Sequence, residues 1–282
     1  MRIIEPKRAA VGSQRSKFSI LFPALVLISA VALFAYLRIG TEDYQISNEV
    51  SPVVTTTQPP VQEVSKELKL RIFTGEELKT FMDNLAYPNV SDVSTKPDIT
   101  GVPAADEKIR ELAVQRGYRQ RAIPNTSLVN VDGHLLQQRA VPDWEALKTS
   151  ARSAGLNLEI SSGFRPVDEQ RQIFTDRLKE AGATTSSIAT GKSNLAVTEV
   201  LKTAAVPGYS KHHTGFTVDF TCSGVGLDAF KNTPCGKWLN ANNYENAKLR
   251  GWIPSYPDGA GLQGPDPEPW EYVWVGTASL YE

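Results

Sequence analysis

The chain has 282 residues, 41% of them hydrophobic, with 30 Lys+Arg against 31 Asp+Glu and a formal net charge of −1. These figures suit a folded protein of one or two domains and argue against a disordered one. The near-neutral balance offers no basic face, so nucleic acid is not expected as a partner.

Residues 1–17 carry Arg2, Lys7, Arg8, Arg15 and Lys17 against the single acid Glu5. Residues 18–37 (FSILFPALVLISAVALFAYL) hold no charge. About 20 apolar residues suffice to cross a bilayer as a helix. Lysine and arginine favour the cytoplasmic side, so a cytoplasmic tail, a single-pass anchor at 18–37 and an extracytoplasmic remainder are predicted. The alternative is a cleaved signal segment at Ala30-Val31-Ala32. That site lies inside the apolar run, and cutting there would leave Leu33-Phe34-Ala35-Tyr36-Leu37 exposed. Both readings export the C-terminal remainder of the chain.

Residues 38–67 are rich in Thr, Ser, Val, Gln, Glu and Pro without apolar periodicity, and read as a linker. Residues 68–125 form an N-terminal helical extension. Its helices are predicted over 75–85 and 104–116, separated by a loop rich in Pro, Asp, Ser and Thr. The rest of the chain, 126–282, reads as a further domain. There, Pro142 starts a helix over 143–154, residues 158–160 alternate as a strand, and 166–181 forms a helix closed by Gly182. Residues 216–220 and 272–275, rich in aromatic or β-branched residues, read as strands. Without regular βαβ alternation, the fold class is α+β, with a small central antiparallel sheet and flanking helices.

The two cysteines, Cys222 and Cys235, are expected to form a disulfide in an exported domain. No CxxC spacing supports the alternative of metal ligation.

Three segments carry residues suited to chemistry. In PGYSKHHTGFTVDF, His212 and Asp219 lie seven apart around Gly215. A turn into a strand would let both converge, and both are zinc-type ligands. Glycine at 215 could let the backbone pass close to that point. The plain alternative is a surface histidine and a turn-end acid. In SSGFRPVDEQ, Arg165 stands at a strand-to-helix junction, placed to hold a carboxylate or an oxyanion, or else paired to Asp168 or Glu169. In DPEPWEYVWVG, Glu268 and Glu271 flank Trp270 before an aromatic strand. A carboxylate there could act as general base, or be a loop acid beside a core tryptophan.

Together these segments, over roughly residues 129–276, resemble the VanY-type D-Ala-D-Ala carboxypeptidases. These belong to a zinc-peptidase group that also holds lysostaphin-like and hedgehog-like domains. The family pattern Ser-x-His-x-x-Gly-x-Ala-x-Asp corresponds to Ser210, His212, Gly215, Thr217 and Asp219, with threonine for the small residue. The pattern Ser-Gly-Tyr/Phe-Arg followed by Gln corresponds to Ser162, Gly163, Phe164, Arg165 and Gln170. The resemblance implies His212 and Asp219 as Zn2+ ligands, Glu268 as catalytic base and Arg165 as oxyanion holder. Ser210 and Gln170 would help to bind the peptide.

The family's third ligand, a histidine after the tryptophan, is Glu271 here, and the arginine two places on is Val273. Either Glu271 ligates through a carboxylate oxygen, or the site is degenerate and the domain binds cell-wall peptide without cutting it. His213 neighbours His212 and would point elsewhere. The resemblance thus implies a metal-dependent carboxypeptidase removing the terminal D-alanine from peptidoglycan stem peptides at the outer side of the cytoplasmic membrane. The alternative is a membrane-anchored peptidoglycan-binding module. Serine peptidase motifs (GxSxG, SxxK) and HExxH are absent from the sequence.

Overall fold

The computed structural model describes residues 68–91 and 96–282. The predicted anchor and linker lie outside the described residues. Among those described, no helix is long and apolar enough to cross a membrane.

The architecture is α+β, with small antiparallel sheets and helices. Helix α1 (Gly75–Asp83) starts at a capping box in which Thr74 and Glu77 satisfy each other's backbone N–H groups. Helix α2 (Pro103–Gln115) has its proline in the first turn, where no N–H is needed. Two short two-stranded sheets are built around and after it. Strand β1 (Val90–Ser91) pairs with β2 (Ile123–Pro124), and β3 (Val129–Val131) with β4 (His134–Leu136). Helix α3 (Val141–Ser153) leads into β5 (Leu158–Ser162). Helices α4 (Val167–Glu180), α5 (Thr185–Ala189) and α6 (Asn194–Leu201) come next. The chain then forms β6 (Thr217–Cys222), α7 (Pro234–Lys248, broken at residues 241–244), β7 (Trp252–Pro254) and β8 (Glu271–Trp274).

The main sheet has the order β5-β6-β8-β7, every neighbour antiparallel. Side chains alternate across it, so β6 gives Val218, Phe220 and Cys222 to one face and Thr217, Asp219 and Thr221 to the other. The first face is the main core. Phe220 stacks on Trp144 of α3 at 5.4 Å between centroids and meets Trp252 and Tyr272 at 5.6 and 5.3 Å. The Cys222–Cys235 disulfide is formed and ties the end of β6 to the start of α7. A second core joins Ile109 and Ala113 of α2, Phe174 and Leu178 of α4, and Val197, Val200 and Leu201 of α6. Residues of the 68–125 segment enter both cores, since Phe73, Leu78 and Met82 pack into the main one. The Asn243 side chain, in the left-handed break of α7, bonds both the N–H and the C=O of Phe73.

Candidate active site

The polar face of the sheet is organised by register. Ser162 lies opposite Asp219, and Asp219 opposite Glu271, so one row crosses β5, β6 and β8. Directly opposed like charges destabilise an antiparallel pair. Two carboxylates, both buried, therefore need a cation between them.

His212 fills that place. It sits in a 3-10 turn (Lys211–Thr214) that runs into β6 through Gly215 at φ 74°. A Cβ at 215 would come within 3.0 Å of Leu128 and 3.2 Å of Gln137. The glycine is thus required by the left-handed turn and by those two side chains, not by an approach to the His/Asp point. The imidazole Nδ1 lies 2.7 Å from the Gly163 carbonyl, which can only accept, so Nδ1 carries the proton. In the neutral ring, Nε2 is then a bare lone pair. It faces Asp219 Oδ1 and Glu271 Oε2, each at 3.3 Å.

Three acceptor atoms pointing at one another make sense only around a proton or a metal ion. The three ligand atoms all lie within 4.8 Å of one another. Ligands on a tetrahedral zinc at ~2.1 Å would be separated by about 3.4 Å. Asp219 Oδ1 and Glu271 Oε1 are buried without a hydrogen-bond partner among the described residues. The donor set and its orphaned oxygens thus fit a zinc-sized cation. In the metal-free protein a proton takes the role. Burial acts against a charged imidazole, but the Asp219 and Glu271 carboxylates outweigh it and push His212 up to about 10.

Lys211 is the neighbour that the sequence did not flag. Its ammonium is 3.9 Å from Glu271 Oε1, donates to the Ser255 carbonyl at 2.6 Å and lies 3.4 Å over the Tyr256 ring. Burial pushes it down to about 7, with Glu271 acting in the opposite sense. Burial also disfavours the Glu271 charge, yet His212 and Lys211 hold its carboxyl below the usual range. Glu268 lies one turn before β8, and its carbonyl accepts the Glu271 N–H at 3.1 Å. Burial, then the charges of Glu271 and Asp219, raise its carboxyl well above the usual range. Two neighbouring carboxyls with opposed shifts are the pattern that separates a ligand from a proton carrier.

Arg165 donates to Gln170 Oε1 at 3.0 Å and Ser162 Oγ at 3.3 Å, and its Nε is 3.9 Å from Glu169. Gln170 is buried and also donates to the Ala205 carbonyl at 2.7 Å. Both ends of that amide are therefore engaged in the protein, where they fix the guanidinium. Ser210 stands just before the 3-10 turn without a side-chain capping bond and is buried at the cavity wall. His213 points away from the cluster. Its Nδ1 is 2.7 Å from the Arg165 carbonyl and its Nε2 accepts the Gly208 N–H at 3.0 Å, so neither nitrogen is open to a metal. His134 lies on β4, outside the cavity lining.

A cavity of about 520 Å³ opens over this row. Arg165, Gln170, Ser210, His212, Asp219, Glu268 and Glu271, distant in sequence, all line it. So do Tyr118 and Arg121 from the N-terminal extension. No motif marks those two in the sequence. Their place comes from packing: Gly117 presses on the Leu262 carbonyl, and Arg116 bonds Gly264 and Asp266, just before Glu268.

A buried imidazole and two carboxylates at cation spacing, with a raised carboxyl and a held guanidinium in one cavity, form a group that could hold one metal ion on an α+β scaffold. The VanY family, D-alanyl-D-alanine carboxypeptidase, matches residues 133–277, just over half of the chain, and the chain belongs to that family. A D-alanyl-D-alanine carboxypeptidase of Enterococcus faecalis is 30% identical over 165 residues, covering 56% of each chain. The chain thus spans little more than half the length of that relative. Among solved structures, a vancomycin resistance D,D-pentapeptidase VanY variant in complex with Zn(II) is 26% identical, with a TM-score of 0.43. That match covers 59% of this chain and 90% of that one. VanYB in complex with D-alanine-D-alanine is also 26% identical, with a TM-score of 0.42, covering 55% of this chain and 80% of that one.

Proposed function

We propose that this chain is a metal-dependent carboxypeptidase that removes the terminal D-alanine from peptidoglycan stem peptides. It would act outside the cytoplasmic membrane, held by the apolar segment at 18–37. The observation that carries the reading is the His212 Nε2 lone pair, aimed between Asp219 Oδ1 and Glu271 Oε2 at 3.3 Å each.

His212, Asp219 and Glu271 would hold the ion, zinc by chemistry of the donor set. When bound, the metal acts as a Lewis acid on the scissile carbonyl and makes water a better nucleophile. Glu268 takes a proton from the attacking water and passes it to the leaving D-alanine amine. Arg165, held by Gln170 and Ser162, donates to the oxygen that gains negative charge. Lys211 offsets the extra negative charge that Glu271 brings relative to a histidine ligand.

The test is metal content after dialysis without chelator, followed by D-alanine release from a pentapeptide ending in D-Ala-D-Ala. About one zinc per chain and steady release are expected. Glu268→Gln should keep the zinc and lose turnover by at least about 10²–10³-fold. A chain that retains no zinc when it is supplied, and binds the peptide without cutting it, is instead a binding module.

A further inference from the structure

The cavity holds six basic side chains, and five of them are engaged within the protein. Arg165 is bonded to Gln170 and Ser162. Arg177 donates to the Thr203 carbonyl, and Lys202 pairs with Glu199. Lys211 is held by Ser255, and His212 belongs to the metal cluster. Arg121 differs. Its Nε is buried without a hydrogen-bond partner, and its guanidinium makes no ion pair among the described residues. Its charge is felt by Lys211 and Tyr256, which line the same cavity, and by Tyr87. Asp83, whose carboxyl also feels the Arg121 charge, is ion-paired to Lys79 at 2.7 Å and Arg119 at 3.3 Å.

The residue is nonetheless fixed in position. The Arg121 N–H donates to the Gly208 carbonyl at 2.8 Å, and the Gly208 N–H donates to His213 beside the ligand His212. Two hydrogen bonds thus connect Arg121 to the metal-site turn. Its segment lies outside residues 133–277, the stretch that the family model matches, and belongs to the N-terminal extension.

A planar guanidinium with open N–H donors on a cavity wall suits a carboxylate, which it can hold with two parallel hydrogen bonds. We propose that Arg121 is a specificity-determining residue that binds a carboxylate of the peptide substrate. The extension then completes the site, and does not merely cover it. The inference rests on the carboxypeptidase reading for its substrate but is tested separately from it.

The experiment uses the full chain loaded with zinc and an N-acylated pentapeptide ending in D-Ala-D-Ala, as free acid and as C-terminal amide. Binding is measured in the Glu268→Gln background, and KM and kcat with Glu268 present. Arg121→Gln should weaken binding of the free acid at least about tenfold and raise KM to match, with kcat within about threefold. A loss confined to the free acid identifies the terminal carboxylate. An equal loss on acid and amide identifies a side-chain carboxylate of the stem peptide. Either supports the proposal, whereas a change below twofold on both peptides overturns it. Should Arg121→Gln not fold, Arg121→Lys keeps the charge but loses the fork, and unchanged affinity in that variant overturns the proposal equally. If the wild type releases no D-alanine, the carboxypeptidase reading fails, while the binding arm still decides the role of Arg121.

Discussion

Raising the pH should strengthen zinc binding far beyond the range of an ordinary histidine. In the metal-free protein, His212 Nε2 holds a proton between two carboxylates at 3.3 Å, which push its pKa up to about 10 against burial. Zinc must displace that proton to use the same lone pair. Affinity should therefore rise about tenfold per pH unit between pH 7 and 9, where a histidine at about 6.5 would give a flat line. At pH 7.5, well below about 10, the proton reduces apparent affinity by roughly two to three orders of magnitude. The same linkage acts on stability. A raised pKa stabilises the metal-free fold fully below the unfolded value of 6.5, and that contribution is lost as pH rises through the folded value. Alkaline conditions should thus weaken the metal-free protein and not the zinc-loaded one. The assay is competition with a calibrated chelator across pH 7–9, with calorimetry in buffers of different ionisation heat to count protons. At least about one proton released per zinc at pH 7.5 is expected. Constant affinity over that range, or no proton release, would refute the geometry argued for His212.

Three further outcomes rest on particular contacts. Gln170→Leu removes the acceptor that fixes Arg165 and strands the Ala205 carbonyl, so kcat should fall about 10- to 100-fold at nearly constant KM, with stability lower by about 1–3 kcal/mol. An unchanged kcat would show that Arg165 needs no such support. His213 is pushed down to about 4, first by burial, and the charges of His212 and Arg165 act in the same direction. Its stabilising contribution is full above 6.5 and is lost as pH falls from 6.5 towards 4, by at most about 3 kcal/mol. Urea unfolding of wild type and His213→Gln over pH 4–7 should differ in slope, and parallel curves would count against it. Replacing both Cys222 and Cys235 by serine should cost about 3 kcal/mol on the chain-entropy account, read as a lower unfolding midpoint. Equal midpoints with and without reductant would argue that the loop is constrained by packing alone.

The α+β class was legible in one dimension, because α1 to α4 and strands β5, β6 and β8 are local events with local signals. Helical spacing over 75–85 and 104–116, Pro142 at the start of α3, alternation over 158–160 and the aromatic or β-branched runs of 216–220 and 272–275 need no distant partner. The sequence also named His212, Asp219, Glu271, Glu268 and Arg165 as candidates, since each lies in a segment whose chemistry is readable in one dimension. It did not reveal α7, whose second half comes after three consecutive left-handed residues, Asn242, Asn243 and Tyr244, held by contacts to Phe73 some 170 residues away. Nor did it reveal β7 or the two small two-stranded sheets, whose strands are too short to carry a period. Which groups share the cavity follows from the folded arrangement alone. The register Ser162–Asp219–Glu271 sets the two carboxylates side by side, and the Gly163 carbonyl decides which imidazole nitrogen faces them. Lys211 becomes the counter-charge to Glu271, and Arg121 reaches the cavity from a segment with no motif at all. The physical reason is common to all of these. Charge pairing and burial depend on distances between remote parts of the chain, and those exist only once the sheet and the two cores have closed.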